Sequence, residues 1–364
     1  MTATPLRAGY IGGGFMARVH SRASRAAGAE LAAIVSSNPA GSASVAAALG
    51  FERSYESADD LLADQSIDVV HIVTPNATHF GFARAAIAAG KHVICEKPLT
   101  TSTGDAEILV AAAVAAGVTA TVPFVYRFHP MVREARARVL AGEVGELLSI
   151  RGSYLQDWLL VPTDDNWRVD EKHGGPSRAF ADIGSHLSDL LEFVTGDRIV
   201  RVQALKRTVF DERSHTRAVT TEDIVAVLLE TRNGAIGTLL VSQVSPGRKN
   251  RLQFEISGTE ETIAFNQEDP ETLWLGRRSH SELLRRDLDL SADALRLSVL
   301  PPGHPLGYQD AFNAFVADSY GAIHGELREG LPTFDDGLRA AVLTDAVLES
   351  ALTGSWISTE GVLV

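Results

Sequence analysis

Short apolar runs alternate with longer stretches of helical period over the first third of the chain. "LRAGYI", "LAAIVSS", "IDVVHIVTP", "KHVICEKP" and "VTATVPF" read as strands. Between them, "FMARVHSRASRAAG", "AGSASVAAALG", "THFGFARAAIAAG" and "GDAEILVAAAVAAG" read as helices, the last three closing on Gly50, Gly90 and Gly117. Glycine just past a helix takes the left-handed conformation that stops it. Strands alternating with helices imply right-handed crossovers, hence a doubly wound parallel sheet of Rossmann type.

From about residue 125 the period changes. A helix, "MVREARARVLAG", leads into "ELLSIRGSYLQDW", which alternates as a strand. Strand-like runs follow: "RVQALKRTVF", "DIVAVLLETRNGAIGTLLVSQVS", "NRLQFEISGTEETIAFNQ" and "TLWLG". "RNGA" between two β-rich runs predicts a hairpin. This half is expected to be α+β, with a large, mostly antiparallel open sheet. Two helices close the chain, near "YQDAFNAFVADSYGAIHG" and "FDDGLRAAVLTDAVLESALTG". The expected domains are 1–123, binding a dinucleotide, and 124–364, binding substrate and making the oligomer. Packing of the closing helices back on the first domain stays open.

Composition narrows the partners. The chain has 364 residues, enough for two domains, and 45% of them are hydrophobic, enough for a large core. A net charge of −13 argues against nucleic acid or an anionic membrane surface. It leaves room for a phosphate-bearing cofactor held by backbone amides. The single cysteine, Cys95, rules out an internal disulfide framework and a thiolate-rich metal site, and its apolar run makes it a core residue. The N-terminal stretch has no apolar signal core and no run is long enough to span a bilayer. The expectation is a cytoplasmic protein without membrane partners.

Candidate chemistry begins at "GYIGGGFMARVHS". Gly12, Gly14 and Ala17, with Phe15 and Met16 between, fit G-x-G-x-x-A after a strand and at the start of a helix. In that setting Gly12 makes the turn, Gly14 admits a pyrophosphate and Ala17 lets helix and strand pack closely. The helix N-terminus offers amides and partial positive charge. The second strand ends in Ser36, Ser37 and Asn38, where an NAD site usually has a carboxylate. No adjacent arginine awaits a 2′-phosphate either, so NAD and NADP both stay open, with the balance toward NAD. Thr74, Pro75 and Asn76 fall at a carboxyl edge of the sheet, where such folds bind ligands; a plain turn with a cap from Asn76 or Thr78 is the simpler reading.

A second constellation is "FADIGSHLSDLLEFVTG". Asp182 and His186 stand four apart and share a helix face if Asp182 begins the helix. Taken alone, each has a plain structural role: Asp182 as an N-cap, His186 as a hydrogen-bonded core histidine.

Together these stretches resemble the Gfo/Idh/MocA oxidoreductases. The resemblance rests on "GYIGGGFMARVHS", "DVVHIVTPNATH", "AGKHVICEKPLT", "VYRFHPMV", "NWR" and "GGPSRAFADIGSHLSDLLEFVTG", in that order. It implies a catalytic set of Lys97, Asp182 and His186, with Lys97 beside the nicotinamide. His186 can take a hydroxyl proton, as histidines do near neutral pH, Asp182 can orient it or the substrate, and the Lys97 ammonium can stabilise an alkoxide. Which of Lys97 and His186 is the base stays open. The cofactor set extends to His79, Glu96, Pro98, Trp167 and Arg168, and the substrate set to Tyr126, Arg127 and Trp158; aromatic rings suit the apolar face of a sugar. The implied activity is hydride transfer between a secondary hydroxyl of a sugar, glycoside or cyclitol and NAD or NADP, in a homodimer or homotetramer formed through the second sheet. The Asp and His positions form no plausible zinc set. Two alternatives stand beside it: a glycoside-processing enzyme that recycles tightly bound NAD, and a non-catalytic dinucleotide sensor.

Overall fold

Residues 4–360 of the computed structural model are described. In chain order the elements are β1 (Arg7–Ile11), α1 (Phe15–Ala26), β2 (Glu30–Val35), α2 (Pro39–Leu49), β3 (Arg53–Ser54), α3 (Ala58–Ala63), β4 (Val69–Ile72), α4 (His79–Ala88), β5 (His92–Cys95), α5 (Thr103–Ala116) and β6 (Ala120–Thr121). Then come α6 (Pro130–Leu140), β7 (Leu147–Leu155), α7 (Glu171–Gly174), α8 (Ser185–Thr195), β8 (Ile199–Arg207), β9 (Ile224–Thr231), β10 (Ile236–Ser242), β11 (Arg251–Gly258), β12 (Thr262–Asn266), β13 (Thr272–Gly276) and β14 (Ser281–Arg285). α9 (Ala292–Leu297), α10 (Tyr308–Ile323), α11 (Phe334–Thr353) and β15 (Ile357–Ser358) complete the chain. Two compact units result: Met1–Val125 with Tyr308–Leu338, and Tyr126–Gly307 with Arg339–Val364.

The first unit holds six parallel strands in the order β3-β2-β1-β4-β5-β6. Helices on both faces explain why these strands are apolar throughout rather than alternating. Asn38, Ser57 and Ser102 cap α2, α3 and α5 through their side chains, and Gly50 and Gly117 close α2 and α5 in the left-handed region. Strand order reverses between β1 and β4, so the crevice beyond their carboxyl ends is the ligand position of this topology. α10 packs on α1 within the same unit. Cys95 is buried in β5.

The second unit is built on a nine-stranded sheet, β14-β13-β12-β11-β7-β10-β9-β8-β15. All neighbours are antiparallel except β7 and β10. "RNGA" is the β9–β10 turn, closed by the Thr231 N–H on the Ala235 carbonyl at 2.8 Å. One face buries Ile150, Val227, Leu239, Phe254, Ile256 and Phe265, and α6 and α8 pack against this sheet. The other face leaves Leu205, Leu228 and Leu240 exposed. Among the described residues no helix is long and apolar enough to cross a membrane.

Candidate active site

In the first unit, the glycine loop joins β1 to α1. Gly12 sits at φ +112°, and a Cβ there would stand 2.6 Å from the Val73 carbonyl oxygen. A side chain is therefore excluded twice, by backbone conformation and by contact. At Gly14 a Cβ would meet nothing within 4 Å, so the loop's surface is open. Ala17 is fully buried. No side chain caps α1 and its first turn holds no acid, an arrangement suited to an anion. Phe15 is exposed and Met16 half-buried at the same opening. A dinucleotide fits these residues: the turn, the bare helix start and the open glycine are all present. At the end of β2, Ser36 is half-buried and Ser37 and Asn38 are exposed. Asn38 Oδ1 accepts from the Gly41 N–H at 2.8 Å.

The ends of β4 and β5 form an edge beside this loop. Thr74 and Pro75 lead into a 3-10 turn, Asn76–Thr78, before α4. Thr78 does not cap α4; its hydroxyl instead reaches Thr74 Oγ1 at 2.6 Å and the Pro75 carbonyl at 2.7 Å. His79 is buried, with Nδ1 2.8 Å from the Pro98 carbonyl and Nε2 2.9 Å from that of Thr74. Its ring thus ties the two edge loops together. Burial pulls its pKa down against the pull of the two carbonyls. The Lys97–Pro98 bond is cis. Lys97 is half-buried, and its backbone N–H lies 3.1 Å from Glu96 Oε2. Burial alone would raise the Glu96 pKa. The hydrogen bond with His20, at 3.0 Å, and the Lys97 ammonium outweigh it and hold the carboxyl below its usual range.

In the second unit, Asp182 does not begin α8. It lies in a π-helical turn, Phe180–Gly184, that runs straight into the helix. The plain structural alternative, an N-cap, therefore does not apply, and the position fits the tendency of π turns to mark functional positions. The turn's start is held by buried Glu222, whose Oε1 accepts from Ser177 Oγ at 2.7 Å and from the Arg178 and Phe180 N–H groups, both at 3.0 Å. At Gly184 a Cβ would stand 2.5 Å from the Phe180 ring, which explains the middle glycine of D-x-G-x-H. Asp182 Oδ2 accepts from Gln243 Nε2 at 2.8 Å, and Arg168 Nε stands 3.4 Å from Oδ1. Arg168 also lies over the Trp167 ring, 4.3 Å from its centroid.

His186 is buried on α8, edge-on to the Tyr126 ring at 5.0 Å between centroids. Tyr126, Tyr154 and Asn250 close a ring of hydrogen bonds at 2.5, 2.7 and 3.1 Å. Gln156 joins Asn250 at 2.9 Å and receives the Trp158 indole N–H at 2.8 Å. Arg127 makes a bidentate pair with Asp189, also on α8, with both residues buried. Gln243, Tyr154, Asn250 and Glu222 did not stand out in the sequence. Their available signal was a polar residue at the end of an alternating apolar run, as in "SYLQD" and "LVSQVS".

The comparisons with known proteins agree with this two-domain fold. Residues 6–124 match the model of an oxidoreductase family with an NAD-binding Rossmann fold, and residues 132–264 match the C-terminal domain of the same family. A levoglucosan dehydrogenase from Pseudarthrobacter phenanthrenivorans is 32% identical over 97% of each chain. The structure of levoglucosan dehydrogenase in complex with NADH and L-sorbose superposes with a TM-score of 0.93, at 30% identity, over 99% of this chain and 100% of the other. An inositol dehydrogenase homologue from Azotobacter vinelandii, in complex with NAD+, gives 0.89 at 26% identity over 98% of each. With both domain models matched in order and the glycine loop, E-K-P edge and D-x-G-x-H turn all built, the chain belongs to the Gfo/Idh/MocA oxidoreductases.

Proposed function

We propose that the protein oxidises a secondary hydroxyl of a sugar, cyclitol or glycoside to a ketone, with NAD as hydride acceptor. The observation that carries this reading is the π turn that presents Asp182 and leads directly to buried His186, in a chain that also keeps Lys97 at the carboxyl edge of β5. His186 takes the hydroxyl proton, and Asp182, fixed by Gln243 and Arg168, orients the substrate. The Lys97 ammonium stabilises the oxygen as charge develops. The nicotinamide, when bound, supplies the redox chemistry. The glycine loop holds the pyrophosphate. Ser36, Ser37 and Asn38 meet the adenosine ribose, and the absence of a cation among these three favours NAD over NADP. Thr74, Pro75, Asn76, Glu96 and Pro98 form the edge on which the nicotinamide end rests. Tyr126 and Trp158 present rings to the sugar. Relatives named as levoglucosan and scyllo-inositol dehydrogenases support a cyclic polyol as substrate. A cytoplasmic nicotinamide pool suits this chemistry.

The test is reduction of NAD and of NADP across a panel that includes levoglucosan, inositols and xylose. Turnover with NAD is expected, and Lys97→Ala and His186→Ala should each lower kcat by about 10²- to 10⁴-fold while dinucleotide still binds. Activity unchanged in both variants would overturn the assignment.

The outer face of the nine-stranded sheet supports a further part of this reading, a homo-oligomer. Leu205, Leu228 and Leu240 line a groove of about 790 Å³ there, flanked by Arg151, Gln203 and Gln253. A broad apolar sheet face of this kind is suited to a second copy of itself. Light scattering should report a dimer or tetramer; a monomer at micromolar concentration would refute it.

A further inference from the structure

Behind Glu96 lies a line of buried polar groups that the reaction as described does not use, all within the first unit. Tyr10 Oη is 2.6 Å from Ser24 Oγ, and Ser24 Oγ is 2.7 Å from Tyr320 Oη. Tyr320 Oη is 2.8 Å from His71 Nε2, His71 Nδ1 is 2.9 Å from His20 Nδ1, and His20 Nε2 is 3.0 Å from Glu96 Oε1. Every one of these residues is buried. They come from β1 (Tyr10), α1 (His20, Ser24), β4 (His71), the end of β5 (Glu96) and α10 (Tyr320).

The direction of the hydrogen bonds follows from counting donors, since a buried donor without an acceptor is strongly unfavourable. The Tyr10 hydroxyl hydrogen has Ser24 Oγ as its acceptor among the described residues. The Ser24 hydrogen then goes to Tyr320, at 2.7 Å, in preference to the more distant His71 Nε2, and the Tyr320 hydrogen goes to His71 Nε2, at 2.8 Å. A neutral His71 with an accepting Nε2 carries its hydrogen on Nδ1 and donates it to His20 Nδ1. His20 in turn carries its hydrogen on Nε2 and donates to Glu96. Reversing the line, with a protonated Glu96 or a doubly protonated His20 at its head, strands one hydroxyl hydrogen at Tyr10 or Ser24. Ser24 Oγ is also 3.5 Å from His71 Nε2, and that contact points the same way.

We infer that Ser24, Tyr320, His71 and His20 form a one-way hydrogen-bond wire that ends on Glu96 and holds it as an oriented carboxylate beneath Lys97, making Tyr320, His71 and His20 positioning residues for the dehydrogenase site. This consequence rests on the function proposed above. Glu96 Oε2 receives the Lys97 backbone N–H at 3.1 Å while Oε1 receives His20, so both carboxylate oxygens are fixed. A fixed carboxylate beneath Lys97 sets the backbone where this residue leaves β5, and with it the start of the side chain that the proposed alkoxide contact requires. Burial pushes the Tyr10 hydroxyl pKa well up, which closes the far end of the wire to proton release. The wire therefore orients and polarises rather than delivering a proton.

Two variants that each remove one buried tyrosine hydroxyl separate this role from a structural one. Tyr320→Phe breaks the wire. Tyr10→Phe lies behind it and leaves every link from Ser24 to Glu96 in place. Side-chain ¹⁵N spectra of the wild-type protein should show His71 protonated on Nδ1 and His20 on Nε2; the opposite tautomers would overturn the wire. With Tyr320→Phe, the Glu96 carboxyl ¹³C titration should move upward, and kcat should fall about tenfold with KM for the sugar within about twofold. Tyr10→Phe should change neither. Equal effects of the two variants would overturn the positioning role. The spectra need no substrate. A wild-type protein that turns over nothing in the panel would sink the proposed activity, and the tautomers and the Glu96 titration would still decide the wire.

Discussion

Glu222 shows how much of this site rests on residues outside the proposed reacting set. It is fully buried at the end of the loop before β9, and one of its oxygens accepts three hydrogen bonds at the start of the turn that carries Asp182. Two of the donors are backbone N–H groups of a helix start, which otherwise lack partners. Its neighbour Asp223 is equally buried and pairs with Arg178 and Arg213, so both ends of this turn's approach are pinned by charge. Glu222→Ala removes all three acceptor contacts at once. Hydrogen bonds to a charged group contribute about 1.5–3 kcal/mol each and are not additive, so a loss of about 3 kcal/mol is expected. Catalysis should suffer further, because Asp182 sits two residues past the last of these bonds. Chemical denaturation and kcat, measured together, check this. A variant as stable as the wild type, with full kcat, would show that the cap does not hold the turn.

At the scale of elements, the first unit was legible because period and punctuation agreed. Its main strands and helices follow the apolar runs, and Gly50 and Gly117 stop helices where the sequence placed them. "RNGA" announced its hairpin for the same reason. β14 escaped notice because its residues are nearly all exposed and do not alternate. β15 is two residues long, too short for any period. The π turn before α8 was unreadable for a different cause. The side chain of Asp182 suits a cap, and nothing local says that a glutamate forty residues later takes that role instead. The same limit hid the wire to Glu96. His20 and His71 look like isolated polar residues in apolar elements, and the tyrosine that completes their hydrogen bonding is 249 residues beyond His71. Local pattern reveals which residues are buried; it does not reveal which buried polar groups find one another.

Across the whole molecule, buried histidines set the response to acid. His129 in the second unit is fully buried, its Nε2 has no hydrogen-bond partner among the described residues, and burial pulls its pKa down to about 4 from 6.5. In the first unit burial likewise lowers His71 and His79. Each of these groups binds its proton more readily unfolded than folded. Their contribution to stability is therefore complete above about pH 6.5 and is lost as pH falls toward the folded value. For His129 that window runs from 6.5 to about 4 and amounts to about 3 kcal/mol. Carboxylates enter later: Asp64, at about 2, loses its contribution only below about 3.8. The four tryptophans, Trp158, Trp167, Trp274 and Trp356, all belong to the second unit, so their fluorescence reports its unfolding separately. Urea midpoints followed this way should fall steadily between pH 6.5 and 4, and His129→Gln should flatten that slope by close to one proton. An unaltered slope in the variant would mean that His129 charges freely in the folded unit and does not set the acid sensitivity of this half.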